Sequence, residues 1–531
     1  MFLKRSFLPT AIALILIPPA MADVGKTSED NFLRWTDFNF GVSNDIGGSA
    51  TTPEGFLRDR TRSAAELLKV SDSLQVEFVT RNVGNNLDMM VLYPGVNPTH
   101  IIACIEGGVE DLADGRKNPS VQTIDLATGN VTTILRGMDR CDGIRTTPWG
   151  TILATEETDD GGAYEIIDPL NTVENTVTDR AAGTITGATA SNIAKRDALP
   201  TMAWEGLAVL RGGVVIAGDE ERPGSDVDDN GGNDTDGGAL FKFVPSAIRN
   251  DGSNITDLSQ SPLVSGTTYA LQVSCFNDRV QHGQGCEVGN GSWVEVVAAD
   301  ARKDANRKNA TGFYRPEDLH RDPDFTGAGV RFCWTNTGNE GAKHYAELMC
   351  GIDSSPNEAV ADELSVIINR FVEGNRDMNS FDNLDFQPGT GMHYIVEDHP
   401  NGDIWACLPD GADRDIKSDG CVKVLSVIDD SAEPSGFIFA PDGKTAYVSI
   451  QHSDDAPGTE FDGYDTDDLI KITGFNTRLF KPSELDALLN LQSGQASTQP
   501  DNTIRLDNFT FGGQPLSVNI KINMDGTWEL R

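Results

Sequence analysis

Positive charge is scarce in this chain relative to negative. Across 531 residues, 42 Lys and Arg stand against 81 Asp and Glu, a formal net charge of −39. Such a chain repels nucleic acid and anionic membrane surfaces, so neither is expected as a partner, and it attracts cations. Long apolar runs are missing too: beyond the first 22 residues no stretch is apolar for long enough to span a bilayer. Helical periodicity is scarce, and no internal repeat keeps a strict period. There is no HExxH zinc helix and no serine-nucleophile motif. An anionic substrate would therefore have to be drawn in by local positive charge, and bound metal is the obvious supplier.

What is present begins with a leader. Residues 1–22 have a short basic start (Lys4, Arg5), an apolar run from Phe7 to Ala20, and Ala20-Met21-Ala22 as a cleavage site, the pattern of an export signal. The mature protein is expected to begin near Asp23 and to be periplasmic or secreted; losing the two charges of Lys4 and Arg5 takes the net charge to −41. Lys4-Arg5-Ser6-Phe7-Leu8 is close to a twin-arginine motif with lysine in first place, which leaves the export route open. In an oxidising compartment the eight cysteines predict disulfides. Local spacing suggests Cys275 with Cys286, Cys333 with Cys350, and Cys407 with Cys421. Cys104 and Cys141 are left, either as a fourth bridge or with Cys141 free to bind a metal.

Residues 23–75 read as an N-terminal arm, with a short helix expected over Ser63 to Val70. From there a pattern recurs in which a Pro/Gly/Asn turn leads into a short strand that ends in polar or acidic residues. Examples are NPTHIIACIEGG at 97–108, TPWGTILATEE at 147–157, RGGVVIAGDEE at 211–221 and PDGKTAYVSIQH at 441–452. Many short strands with abundant turn residues point to an all-β architecture, and a recurring unit favours a β-propeller, expected with six blades over residues 76–475. Helices are expected only as decoration, at Glu358 to Glu373 and Ser483 to Leu491. Residues 476–531 either complete or cap the propeller.

The stretch CDGIRTTPWGTILATEE, Cys141 to Glu157, combines a thiol, a tight turn, a strand and two adjacent carboxylates. It reads as half of a metal site, because neighbouring carboxylates repel unless solvent or a cation screens them. Glu220 and Glu221 are similarly placed. Asp226 to Gly237 has oxygen ligands at alternate positions, like the first half of an EF-hand loop, but its twelfth position is Gly237 where a bidentate Glu is needed.

Four stretches together resemble the PhoX family of secreted alkaline phosphatases. They are the Cys141 to Glu157 run, Gly312-Phe313-Tyr314-Arg315-Pro316-Glu317, Phe381-Asp382-Asn383-Leu384-Asp385-Phe386, and Glu433-Pro434-Ser435-Gly436 followed by FAPDGKTAYVSIQH. The resemblance is spread over most of residues 75–475 and implies a six-bladed propeller with a calcium and iron cluster. Carried over by position, it makes Cys141 a thiolate ligand of iron, with Glu156, Glu205, Glu317, Asp382 and Glu433 as carboxylate ligands. Arg315 would face the phosphate. Asp142 departs from the small residue expected after the cysteine, and Ala154 stands where the family often has another cysteine.

The reading that follows is a monomeric, metal-dependent phosphatase acting on small phosphate monoesters, with diesters as a further class. The alternative is a non-catalytic, calcium-stabilised propeller that binds surface glycans or proteins; a third is a propeller hydrolase acting on lactones or phytate. The second explains the acidity but not the order of Cys141, Arg315 and the carboxylates. The third has no use for a thiolate ligand.

Overall fold

The computed structural model describes residues 42, 45–226, 236–249, 251–273, 287–353, 365–408, 420–453 and 459–477, together with backbone strands in the C-terminal segment. The leader, Cys275, Cys286, most of Asp226 to Gly237, and the helix expected over Ser483 to Leu491 lie outside the described residues.

Successive antiparallel strands build six units, I to VI, each entered by an inner strand. The inner strands are Leu87–Tyr93, Cys141–Thr146, Trp204–Val209, Pro316–Arg321, Phe381–Phe386 and Glu433–Phe439. Each lies beside the next, and Glu433–Phe439 lies beside Leu87–Tyr93, so the inner strands close a ring. Unit II shows the pattern: Cys141–Thr146, Ile152–Glu156, Ala163–Ile166 and Ile193–Lys195 pair in order outwards. Units III and IV share an edge, because Gly289–Val296 pairs with Ser365–Glu373 and joins them into one ten-stranded sheet.

Closure is made by the beginning of the propeller chain. Gln75–Gly84 pairs with Thr466–Thr473 and supplies the outer strand of unit VI, so the first and last strands of the ring share a sheet. Leu68–Val70 adds to unit V in the same way. The arm is fastened by charge as well: the buried Asp468 takes Arg58 at 2.9 Å and Arg81 at 2.8 Å. The sheets pack face to face around the ring. Six apolar clusters hold it, one at each interface between neighbouring units. The cluster between II and III, for example, buries Trp149, Leu153, Trp204 and Phe241.

The helices differ from expectation. Ser63 to Val70 forms only the 3-10 turn Ala64–Glu66, capped by Ser63 and Glu66, before the strand Leu68–Val70. Glu358 to Glu373 is not helical where described, since Ser365–Glu373 is a strand of unit IV. The α-helix Ala301–Arg307, unforeseen in the sequence, fills a connection between units III and IV. The C-terminal strands Ala496–Thr498, Thr503–Phe511, Gln514–Ile522 and Trp528–Leu530 pair with one another in a separate sheet.

Candidate active site

Every inner strand starts with a break in register. The pairing slips between Leu87 and Met90, Cys141 and Ile144, Trp204 and Leu207, Pro316 and Leu319, Phe381 and Leu384, and Pro434 and Phe437. A bulge re-aims the side chain that it frees. Here the first freed residues are Asp88, Asp142, Glu205, Glu317, Asp382 and Ser435, five carboxylates and a hydroxyl at equivalent ring positions. Glycines next to them let the inner strands approach: a Cβ on Gly143 would lie 2.2 Å from the Glu205 carbonyl oxygen, and one on Gly206 would lie 1.9 Å from the Leu319 nitrogen. A second layer follows the neighbouring strands, whose ends present Glu106, Glu157, Glu220, Thr337, Asp398 and Gln451.

All of these layer residues except Ser435 and Thr337 line a cavity of ≈ 250 Å³ at one mouth of the ring, joined by Arg140, Arg222, Arg315, Glu433 and His452. Asp142, Glu157 and Glu205 offer oxygens that lie within 4.8 Å of one another, and so do Glu205, Glu317 and Asp382. Glu205 thus belongs to both triads. The Asp142 Oδ1 and Glu205 Oε2 atoms are buried without a hydrogen-bond partner among the described residues. Burial and mutual repulsion act in concert on the protons. Burial, then Asp142, Glu317 and other carboxylates, hold Glu205 well above the usual carboxylate range. Asp142, Glu157 and Asp382 are raised for the same two reasons. Burial lifts Asp88 to about 7, with Glu106 adding to it, and lifts Glu317 to about 8 against the opposing pull of Arg315. Carboxylates so placed are deficient in positive charge, which a cation would supply.

Arg315 enters the cavity from a left-handed backbone position, φ 55°. Burial works against its charge, but Glu317 and Glu220 outweigh burial and keep it cationic. It bonds the Glu220 carboxylate and lies 3.2 Å from Glu317. Thr337 donates its hydroxyl to Glu317 and so fixes that carboxylate from the other side. Glu433 reaches the rim, 3.1 Å from His452 Nε2, and this contact raises the histidine to about 9.

Five of the seven expected site residues, Glu205, Arg315, Glu317, Asp382 and Glu433, therefore meet at one cavity, and two expectations are corrected. Cys141 is bonded to Cys104, so its sulfur is not a thiolate and cannot serve as the expected ligand of iron. Glu156 points away from the cavity: it pairs with Arg180 at 2.8 Å and accepts the Asp139 and Gly162 amides. Their neighbours Asp142 and Glu157 take the cavity positions instead. The same alternation separates Asp219, held by Arg302 at 2.7 Å, from Glu220. Sequence reasoning missed Asp88, Glu106, Arg140 and Asp398 altogether. Its disulfides Cys333–Cys350 and Cys407–Cys421 are present.

The donor set is all oxygen and rich in carboxylate, which suits hard cations such as calcium and ferric iron and offers them no sulfur. Among the described residues no helix is long and apolar enough to cross a membrane.

Comparison with known proteins adds a family and a fold. Residues 228–454, which include Arg315, Glu317, Asp382 and Glu433, match the family model described as alkaline phosphatase PhoX. The structure is similar to that of Pseudomonas fluorescens PhoX in complex with vanadate, a transition state analogue, at a TM-score of 0.57 and 16% identity, covering 83% of this chain and 100% of that one. It is more distantly similar to the PQQ-bound aldose sugar dehydrogenase of Streptomyces coelicolor, at a TM-score of 0.37 and 10% identity over 75% of this chain and 98% of that one. No curated protein sequence matches. Residues 228–454 are a PhoX alkaline phosphatase domain, and the chain is a phosphoric ester hydrolase.

Proposed function

We propose that the cavity hydrolyses small phosphate monoesters at metal ions held by Asp142, Glu157, Glu205, Glu317 and Asp382, calcium and iron being the metals that this donor set fits, and that the protein works in the periplasm or outside the cell. The observation that carries this reading is the pair of carboxylate triads sharing Glu205, in which buried oxygens of Asp142 and Glu205 find no hydrogen-bond partner among the described residues and so suit cation binding. Bound metal would polarise the phosphoryl oxygens and lower the pKa of an attacking water. The chain's own residues do the positioning. Arg315 presents a planar fork for bidentate contact with phosphate, and its left-handed backbone and the Glu220 contact fix the angle of approach. Thr337 keeps Glu317 turned towards the cavity. Glu433 and His452 hold each other on the rim opposite Glu220. The vanadate bound by the Pseudomonas fluorescens protein makes vanadate the natural competitive inhibitor to try here.

The test is hydrolysis of an aryl phosphate by metal-loaded protein, with a chelator as control and Arg315→Ala as the informative variant. Alanine removes a contact that stabilises the transferring phosphoryl group, so kcat/KM is expected to fall on the order of 10²-fold or more with metal content retained. Full activity in metal-loaded Arg315→Ala would overturn the role given to the arginine. Chelator-resistant hydrolysis by demonstrably metal-free protein would overturn the metal.

A further inference from the structure

The residue that precedes the inner strand also recurs, in units I to V. Its carbonyl accepts the amide of the residue that follows the second strand: Asn86 from Glu106 at 2.8 Å, Arg140 from Glu157 at 2.8 Å, Ala203 from Glu220 at 3.0 Å, Arg315 from Thr337 at 3.1 Å and Ser380 from Asp398 at 2.7 Å. Arg140 is therefore the counterpart of Arg315, two units away. Both take the left-handed conformation, φ 51° and 55°, which is uncommon for a side chain of this size. Both line the same cavity.

Their surroundings differ. The Arg315 side chain is 17% exposed and is partnered by Glu220 and Glu317. Arg140 is exposed, and among the described residues no carboxylate lies within 4.0 Å of its guanidinium and no hydrogen bond leaves it. In a chain of net charge −39, beside a cavity lined with carboxylates, an arginine without a carboxylate partner among the described residues is unusual. Arg222, 62% exposed and only 3.7 Å from Glu220, sits at the mouth on the unit between them. Units II, III and IV thus put three guanidinium groups on one arc of the mouth, while the opposite arc presents Asp398 and Glu433.

Exposure separates the roles. Arg315 reaches the carboxylate triads, where the phosphoryl group belongs. Arg140 is exposed on the lining of the same cavity, within reach of a group attached to a phosphoryl bound at Arg315. We propose that Arg140 binds an anionic group on the leaving-group side of the substrate, so that the preferred substrates are phosphate monoesters whose alcohol carries a carboxylate or a second phosphate. The inference rests on the phosphatase reading above. A guanidinium suits either anion, and an exposed charge-assisted contact of this kind favours the anionic ester by about tenfold.

The experiment compares 4-carboxyphenyl phosphate with phenyl phosphate on metal-loaded wild-type, Arg140→Ala and Arg140→Lys proteins, with metal content measured in each. Arginine already has a Cβ, so alanine adds no backbone strain at position 140. The ratio of kcat/KM for the carboxylated over the plain ester is expected to fall about tenfold in Arg140→Ala, chiefly through KM, and to recover in part in Arg140→Lys. An equal loss on both esters would place Arg140 on the phosphoryl group and overturn the inference, and so would an unchanged ratio. Wild-type protein that hydrolyses neither ester would sink the phosphatase reading itself, an outcome distinct from both.

Discussion

Glu205→Gln is expected to empty the cavity of metal and to lower kcat/KM for an aryl phosphate by at least about 10²-fold, because one side chain serves both carboxylate triads. Glutamine keeps the volume and one oxygen donor but removes the charge, and a hard cation gains little from a neutral amide in place of a carboxylate. The same substitution has the opposite effect on the metal-free fold. Wild-type Glu205 is buried beside Asp142, Glu317 and Asp382, and burial and their repulsion both disfavour its charged form. Removing it relieves repulsion, so the thermal midpoint of the chelated variant should equal or exceed that of chelated wild-type protein. Metal content by elemental analysis, steady-state rates and thermal unfolding of the two proteins check the three claims. A fully metal-loaded, active Glu205→Gln protein would remove this residue from the site.

The second large effect concerns pH. Burial pushes Glu317 up to about 8 from the ordinary 4.5, and Asp88 up to about 7 from 3.8. Between those values the folded chain still holds protons that the unfolded chain has released, so stability falls as pH rises. The contribution is complete below the ordinary carboxylate range and is lost as pH passes through about 7 to 8. His452, raised to about 9 by Glu433, acts in the same direction at the alkaline end, since the contact that favours its charged form disappears on deprotonation. A tenfold change in proton affinity between the unfolded and folded chains is worth about 1.4 kcal/mol, so raised carboxyl groups of this kind make the pH dependence readily measurable. Cations reverse the order. The ionised carboxylates of alkaline solution are the form that binds metal, and a ligand at 100 times its Kd adds about 2.7 kcal/mol per site. Denaturant unfolding at pH 5 and pH 8.5 is therefore expected to show chelated protein weaker at pH 8.5, with calcium restoring the alkaline sample far more than the acidic one. Calcium-independent midpoints at both pH values would show that the carboxylates are not a cation site.

Much of the fold was legible, because a turn, a short strand and a polar end recur often enough to mark the units without an exact period. Period was also what misled. Ile367, Ile368 and Phe371 fit a helical spacing, yet Val366 and Ile368 are buried while Ile367 is 45% exposed, the alternation of a strand rich in β-branched residues. The errors at the site have the same origin. Adjacent residues on a strand face opposite ways, so Glu156 and Glu157 could not both reach the cavity; Glu156 pairs with Cys141 across the strands Cys141–Thr146 and Ile152–Glu156, and Glu157 lines the cavity. Cys141 and Asp142 are separated by the same alternation, and Cys141 finds Cys104 on the facing unit. One signal was available and unused: the inner strands open as Leu87-Asp88, Cys141-Asp142, Trp204-Glu205, Pro316-Glu317 and Phe381-Asp382, an apolar or sulfur-bearing anchor followed by an acid. Aligning them would have found Asp88 and Asp142. Arg140 carried no such mark, because its position depends on a backbone hydrogen bond to Glu157 that only the folded ring creates.

The central claim is that the ring's bulged carboxylates hold the metal at which phosphate esters are cleaved. Anomalous diffraction from crystals grown with calcium and iron and soaked in vanadate locates the metals and the anion together. The account predicts anomalous density between Asp142, Glu157 and Glu205 and between Glu205, Glu317 and Asp382, with vanadate reaching Arg315. Active crystals whose metals lie elsewhere, with these two triads bare, would contradict it.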